Sequence, residues 1–221
     1  MRFASVFLMK PTVSIIIAAY NEGQTIRNVL AAATEWNKAK EIIVVNDGST
    51  DNTLEVVRSF RPRVRILHVR KNKGKGNALA CGVKAVTSDI VFFADADIVG
   101  LTAQNIEELM VPVREGKADM VIGLHNFWGI GSFRPYNSLS GQRVLWRNRL
   151  LRHFSHMTSA AGGVEIVINT IHRGLRIAYI EQRNVTTLRK VDKWPAPFAW
   201  WAYLRQAVGF IKGYRIKKSV L

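Results

Sequence analysis

The chain has 221 residues, 48% of them hydrophobic, and a net charge of +16. That is enough apolar material for one domain with a substantial core, or one domain with a C-terminal appendage, and it excludes a disordered tail. One cysteine, Cys81, excludes an intramolecular disulfide and a cysteine-cluster zinc site, while the excess of Lys and Arg suits phosphate-bearing partners: nucleic acid, an anionic membrane or phosphorylated substrates.

No apolar run reaches the length of a transmembrane helix. The apolar patch at Met1 to Met9 is too short for a secretory h-region and meets Lys10 and Pro11 at once. Val13 to Ala18 reads as a buried strand, with Asn21 as a cap and Ile26, Val29, Leu30 and Ala33 at helical spacing after it. Ile42 to Val45 is a second strand, ending in Asn46, Asp47, Gly48 and Ser49. Thr50 or Asp51 is expected to cap the next helix, whose apolar face carries Leu54, Val57 and Phe60. Val64 to Val69 is the third strand. Gly74, Lys75 and Gly76 then open a helix with Ala78, Leu79, Gly82, Val83 and Val86 inward, and Cys81 between Ala80 and Gly82 reads as a small packed residue.

Ile90 to Ala94 is an apolar, aromatic strand that stops in Asp95 and Asp97. A helix around Ile106, Leu109 and Met110 is expected to end near Pro112, and Met120 to Leu124 is a fifth strand. Strand and helix alternate up to residue 124, which predicts an α/β fold with a mostly parallel sheet flanked by helices. Residues 125 to 142 read as a long functional loop, 140 to 154 and 163 to 173 as helical, and Ile177 to Ile180 as one more strand. From Trp194 the composition turns aromatic and basic.

Parallel strands bring four strand-end segments to one edge: Tyr20 to Glu22, Asp47 to Ser49, Lys73 to Gly76, and Asp95 with Asp97. Two carboxylates one residue apart repel unless a cation bridges them, which suggests Mg²⁺ or Mn²⁺ held together with substrate phosphates. Asp47 can accept from a base N–H and Glu22 from a ribose hydroxyl. The glycines and lysines of the third segment suit an anion.

That order resembles glycosyltransferase family 2, with the GT-A, Rossmann-like fold. The matching text is Val13 to Glu22, Val44 to Asp51, Asn72 to Leu79 and Phe92 to Asp97. The resemblance implies that Tyr20, Glu22 and Asp47 hold the nucleoside, that Lys75 lies near the sugar-nucleotide, and that Asp95 and Asp97 manage metal and diphosphate. It divides the chain into a glycosyltransferase domain over 1–190, with a nucleotide-sugar half at 11–124 and an acceptor half at 125–190, and a basic aromatic amphipathic segment at 191–221.

In the acceptor half, Ser140 to Arg143 and Gly163 to Glu165 resemble segments of polyprenyl-phosphate sugar transferases such as dolichyl-phosphate mannose synthase-like enzymes. Arg143 can grip a phosphate oxygen, and Glu165 is either a general base or an acid that positions an arginine. Where such enzymes often carry an arginine after the fifth strand, this chain has His125, a metal ligand or phosphate donor in waiting.

Trp194, Phe198, Trp200, Trp201, Tyr203, Phe210 and Tyr214 are interleaved with Arg205, Lys212, Arg215, Lys217 and Lys218, a composition suited to a bilayer interface. The expectation is therefore a cytoplasmic enzyme, peripheral on the membrane face, transferring a sugar from a nucleotide-sugar donor to a lipid phosphate. No nucleic-acid partner is expected, since no binding module is legible and the site edge is acidic. The alternatives are a soluble transferase to a small phosphorylated acceptor, as in glucosyl-3-phosphoglycerate synthases, and a noncatalytic nucleotide-sugar binding module.

Overall fold

A computed structural model of the chain describes residues 10–126 and 140–188, together with Pro197, Trp200, Leu204 and residues 207–209 and 211–216. Most of the loop expected at 125–142 and most of the C-terminal aromatics therefore lie outside the described residues.

Eight strands form one sheet: β1 (Val13–Ala19), β2 (Glu41–Asp47), β3 (Val64–Val69), β4 (Ile90–Asp95), β5 (Ile98–Val99), β6 (Met120–Asn126), β7 (Arg143–Trp146) and β8 (Ile177–Thr187), in the order β3-β2-β1-β4-β7-β6-β8-β5. The first four pair in parallel, as expected of near-continuous apolar strands covered on both faces. β7 then enters antiparallel between β4 and β6, and β8 runs parallel to β6.

Alternation along the strands divides the core in two. Ile15, Ile17, Val44 and Phe92 face α1 (Ile26–Glu35), α2 (Thr53–Arg58) and α4 (Ala103–Arg114). Ile16, Ile43, Val45, Val91 and Phe93 face α3 (Lys75–Ala85), α5 (Arg147–Leu151), α6 (Phe154–Ser159) and α7 (Val164–Ile171). A 3-10 turn, Ala161–Gly163, leads into α7.

Four local expectations are corrected. Asn21 does not cap α1; it takes a left-handed turn at φ 56°, and Thr25 holds the N-cap position. Asn52, not Thr50 or Asp51, sits at the N-cap of α2, although the Asp51 carboxylate does accept from the Thr53 amide. α4 runs past Pro112 to Arg114, because Pro112 removes one backbone donor while fully buried Val113 holds the last turn against the core. Residues 143–146 are strand, not helix: Arg143, Val144 and Leu145 are all buried where β7 fills the gap between β4 and β6, and that pairing overrides the local pattern.

α3 lies against β1 through Gly82, whose absent side chain admits the Ile16 methyl group. Replacing a helix-interior glycine by alanine ordinarily stabilises by about 1 kcal/mol. Here the added methyl would collide with Ile16 Cγ2, so Gly82→Ala is expected to destabilise by ~1–2 kcal/mol. Urea midpoints would show it, and the effect should shrink in an Ile16→Ala background.

Candidate functional site

Strand register sets the rim. Ala18 pairs with Asp95 across β1 and β4 and with Val45 across β1 and β2, and Asp47 pairs with Val69 across β2 and β3. The segments following these residues therefore leave the sheet on the same side, at the carboxyl ends of the parallel strands. Ligands of open α/β sheets bind there.

Polar side chains tie these loops to one another. The Asn21 amide donates to Ser49 Oγ at 3.0 Å, and Asn21 Oδ1 accepts from the Thr50 amide at 2.8 Å. The Glu22 amide donates to Thr53 Oγ1 at 2.8 Å, and the Gly23 amide to Asp51 Oδ2 at 3.0 Å. Asp47 is buried, and its two oxygens accept the amides of Lys73 at 3.0 Å and Gly74 at 2.7 Å. Gly48 has φ 75°, and a Cβ there would lie 2.9 Å from the Asn72 nitrogen, so the second and third loops touch backbone to backbone.

At the centre is a three-residue ion cluster. Lys75, the first residue of α3, donates through Nζ to Asp95 Oδ1 at 2.5 Å and to Glu165 Oε1 at 2.6 Å. The other Asp95 oxygen accepts the Gly141 amide at 3.1 Å. Burial works against the charged Lys75 ammonium, but the Asp95 and Glu165 carboxylates outweigh it and raise its pKa. Burial likewise opposes the charge on Asp95; Lys75 overcomes that, and the Asp95 pKa falls below the ordinary carboxylate value.

Arg143 lies beneath this cluster, 1% exposed, donating through Nε to the Ser140 carbonyl at 2.9 Å and through a terminal nitrogen to Asn169 Oδ1 at 2.5 Å. Burial pushes its pKa down to about 10, against the pull of Glu165 and Asp95, so it stays charged at neutral pH. His125, near the end of β6, is buried, which lowers its pKa against the opposing fields of Asp95 and Asp97. A neutral imidazole is the form that ligates metals. Asp97 is half-buried in the turn after β4. Among the described residues, no group of three or more His, Cys, Asp or Glu side chains is assembled to hold a metal ion by itself.

The structure thus brings Lys75, Asp95 and Glu165 into direct contact and places Arg143, His125 and Asp97 within their electrostatic reach. Tyr20 and Glu22 are half-buried on the loop after β1, with Glu22 Oε2 accepting from Thr25 Oγ1 at 2.8 Å. Three contributors escape sequence reasoning: Asn21 as a loop clamp, Gly141 as a donor to Asp95, and Asn169 as the partner of Arg143. Asn21 left a signal as one of several short polar residues clustered at both loop tips, Gly141 lay inside the quoted Ser140 to Arg143 segment, and Asn169 left none.

The glycosyl transferase family 2 profile matches residues 14–182. Poly-beta-1,6-N-acetyl-D-glucosamine synthase of Staphylococcus epidermidis is 37% identical over 90 residues, which are 39% of this chain and 22% of that protein. The Staphylococcus aureus enzyme of the same name is 38% identical over 91 residues, with the same coverage of each chain. This chain therefore spans about a fifth of the length of these curated relatives. Among solved structures, glucosyl-3-phosphoglycerate synthase from Mycobacterium tuberculosis with Mn²⁺, UDP and glucosyl-3-phosphoglycerate aligns with a TM-score of 0.65 at 26% identity, covering 83% of this chain and 74% of that one. The same enzyme with Mg²⁺ and UDP aligns with a TM-score of 0.64 at 25% identity and the same coverage.

Removing the shared cation tests the cluster. Lys75→Met leaves the Asp95 and Glu165 carboxylates buried without their counter-ion and is expected to cost about 3 kcal/mol at pH 7. With Lys75 gone, burial is left to raise the Asp95 pKa above its unfolded value, so the folded state binds more protons than the unfolded one. The variant should regain stability between pH 7 and pH ~5, where an unshifted carboxyl begins to titrate. The native protein, whose Asp95 pKa is depressed, gains nothing from that cluster over the same range. Denaturant melts at several pH values distinguish the two profiles.

Proposed function

The chain belongs to glycosyl transferase family 2, and from that premise we propose that it moves a sugar from a nucleoside-diphosphate donor to a polyprenyl phosphate, working peripherally on the cytoplasmic face of a membrane. The observation that carries the acceptor half of this reading is the engagement of Glu165: its Oε1 lies 2.6 Å from the Lys75 ammonium, with the Arg143 charge behind it. An oxygen engaged by the ammonium positions that cation, so an acceptor that needs no deprotonation is favoured. A phosphate monoester needs no base, since its second pKa is about 6 and it is anionic at neutral pH. Lys75 and Arg143 bring two cationic hydrogen-bond donors to the acceptor side, their charges balanced by Asp95 and Glu165.

The donor half rests on the rim. The solved relatives hold UDP with Mn²⁺ or Mg²⁺, and the residues here fit such an ion. Asp95 and Asp97, with His125 kept neutral by burial beside them, would hold such an ion together with the donor's diphosphate. Bound there, the ion would draw charge from the departing diphosphate oxygens. The loops clamped by Asn21, Asp47 and Asp51 shape the nucleoside pocket, and Tyr20 and Glu22 lie on its edge. A phosphate oxygen of the acceptor forms the new bond to the sugar's anomeric carbon. The bond from that carbon to the diphosphate breaks, and its electron pair leaves with the nucleoside diphosphate.

A second reading, transfer to a small phosphorylated acceptor, draws on the likeness to the phosphoglycerate-using synthase. The same base-free site serves it equally well, so the acceptors must be compared directly. Purified enzyme is given labelled UDP- or GDP-sugars, Mn²⁺ and either undecaprenyl phosphate in detergent or 3-phosphoglycerate. Label is expected in the solvent-extractable lipid, with Asp97→Ala reducing transfer about 100-fold, the scale of several kcal/mol of charge stabilisation. Label confined to phosphoglycerate would establish the second reading. Undiminished transfer by Asp97→Ala in the presence of a chelator would refute the metal assignment.

A further inference from the structure

The charged cluster belongs to a closed circuit of hydrogen bonds, and Asn169 is the neutral side chain that completes it. Arg143 donates through Nε to the Ser140 carbonyl at 2.9 Å, and the amide of that same peptide group, on Gly141, donates to Asp95 Oδ2 at 3.1 Å. The other Asp95 oxygen accepts from the Lys75 ammonium at 2.5 Å, and the ammonium donates again to Glu165 Oε1 at 2.6 Å. Arg143 Nη1 donates to Asn169 Oδ1 at 2.5 Å. Glu165 and Asn169 both belong to α7, one turn apart on the same face, so the helix joins the two ends of the circuit. The peptide between Ser140 and Gly141 is gripped from both sides, and a Cβ on Gly141 would overlap the Asp95 carboxylate.

Exposure falls along this circuit. The side chains of Lys75, Asp95 and Glu165 are 31%, 16% and 6% exposed, and Arg143 is 1% exposed. Lys75 is therefore the end that meets a substrate, and Arg143 acts from behind. A guanidinium presents its N–H donors in a rigid fork and needs acceptors where that fork points. Burial works against the Arg143 charge, and Glu165 is the carboxylate that opposes this most. The Asn169 oxygen, one turn along the helix from Glu165, gives the guanidinium an acceptor of its own. Glu165 is thereby left to Lys75.

We propose that Asn169 is a positioning residue for sugar transfer: it holds Arg143 away from Glu165 and so keeps the Lys75 ammonium aimed by two carboxylates. Without the Asn169 oxygen, the guanidinium turns to Glu165, the ammonium keeps Asp95 alone, and its direction is no longer fixed. The role rests on the reading of this cluster as the place of transfer and holds for either phosphorylated acceptor.

Asn169→Leu removes the oxygen at similar size. It is expected to lower kcat for transfer about tenfold, the scale of a hydrogen bond to a charged group, with KM for the nucleotide-sugar unchanged. Asn169→Asp keeps an oxygen for the guanidinium and should restore kcat to within about threefold of the native value. Because Asn169 acts through Arg143, the leucine should cost little further in an Arg143→Lys background. A readout independent of turnover is the Lys75 ammonium resonance in heteronuclear NMR spectra of the full chain. It should be sharp and slowly exchanging in the native protein and in Asn169→Asp, and broadened in Asn169→Leu. Native kcat in Asn169→Leu, a loss that aspartate does not restore, losses that add in the double variant, or an ammonium resonance indifferent to the leucine would each overturn the proposal. Failure of the transfer reading is separate: the native chain would then label neither acceptor, while the Lys75 resonance would still respond to Asn169→Leu.

Discussion

One ammonium group ties together a strand and two helices that are far apart in the chain. Lys75 begins α3, Asp95 ends β4, and Glu165 lies in the first turn of α7, ninety residues further along the chain than the lysine. Placing three charges in a largely dry site is unfavourable unless each finds its partner. The two carboxylates share one cation, a second cation lies just behind in Arg143, and the Gly141 amide takes the remaining Asp95 oxygen. The cluster is therefore an electrostatic joint between the end of β4 and the first turns of α3 and α7.

Around that joint the rim is organised by side chain to backbone bonds, not by secondary structure. Asp47 shows this most clearly. Its position at the end of β2 suggests a group that reads a nucleobase, yet both oxygens accept amides from the third loop. A buried carboxylate satisfied by two amides fixes the shape of a loop at the distance where a ligand backbone or base would approach. Asn21 and Asp51 do the same between the first and second loops. Preorganised loops limit the conformational entropy lost when a nucleotide binds, and rigid positioning of that kind favours a site that orders a flexible sugar.

Strands β1 to β4 are largely legible from sequence because they are buried on both faces. Such strands read as unbroken apolar runs, and their ends are marked by an abrupt change to Asn, Asp and Gly. Strand ends in a parallel sheet share an edge, so Asp47, Lys75 and Asp95 could be gathered before any coordinates. The later strands obey no such local rule. β7 begins with a fully buried arginine and is only four residues long, so nothing in its own composition distinguishes it from the first turn of a helix. β5 is two residues long and exists only because β8 runs far enough to pair with it. The contact of Lys75 with Glu165 depends on how α7 packs across α3, a tertiary fact invisible to periodicity. Pro112 misled for the opposite reason: a strong local breaker was overruled by the burial of Val113.

The strand order also has a consequence for how the molecule is made. β4 pairs with β7 on one side, and β6 pairs with β7 and β8, so β6 never touches β4 although it is synthesised first. On the ribosome, the four parallel strands can assemble as soon as Asp95 has emerged, but one flank of β4 stays open until Trp146 follows. During that interval the nascent chain carries an unsatisfied apolar edge, the kind of surface that recruits another chain. Closure falls to Arg143, Val144, Leu145 and Trp146, so the segment that covers this edge also sets the buried guanidinium within the field of Asp95 and Glu165.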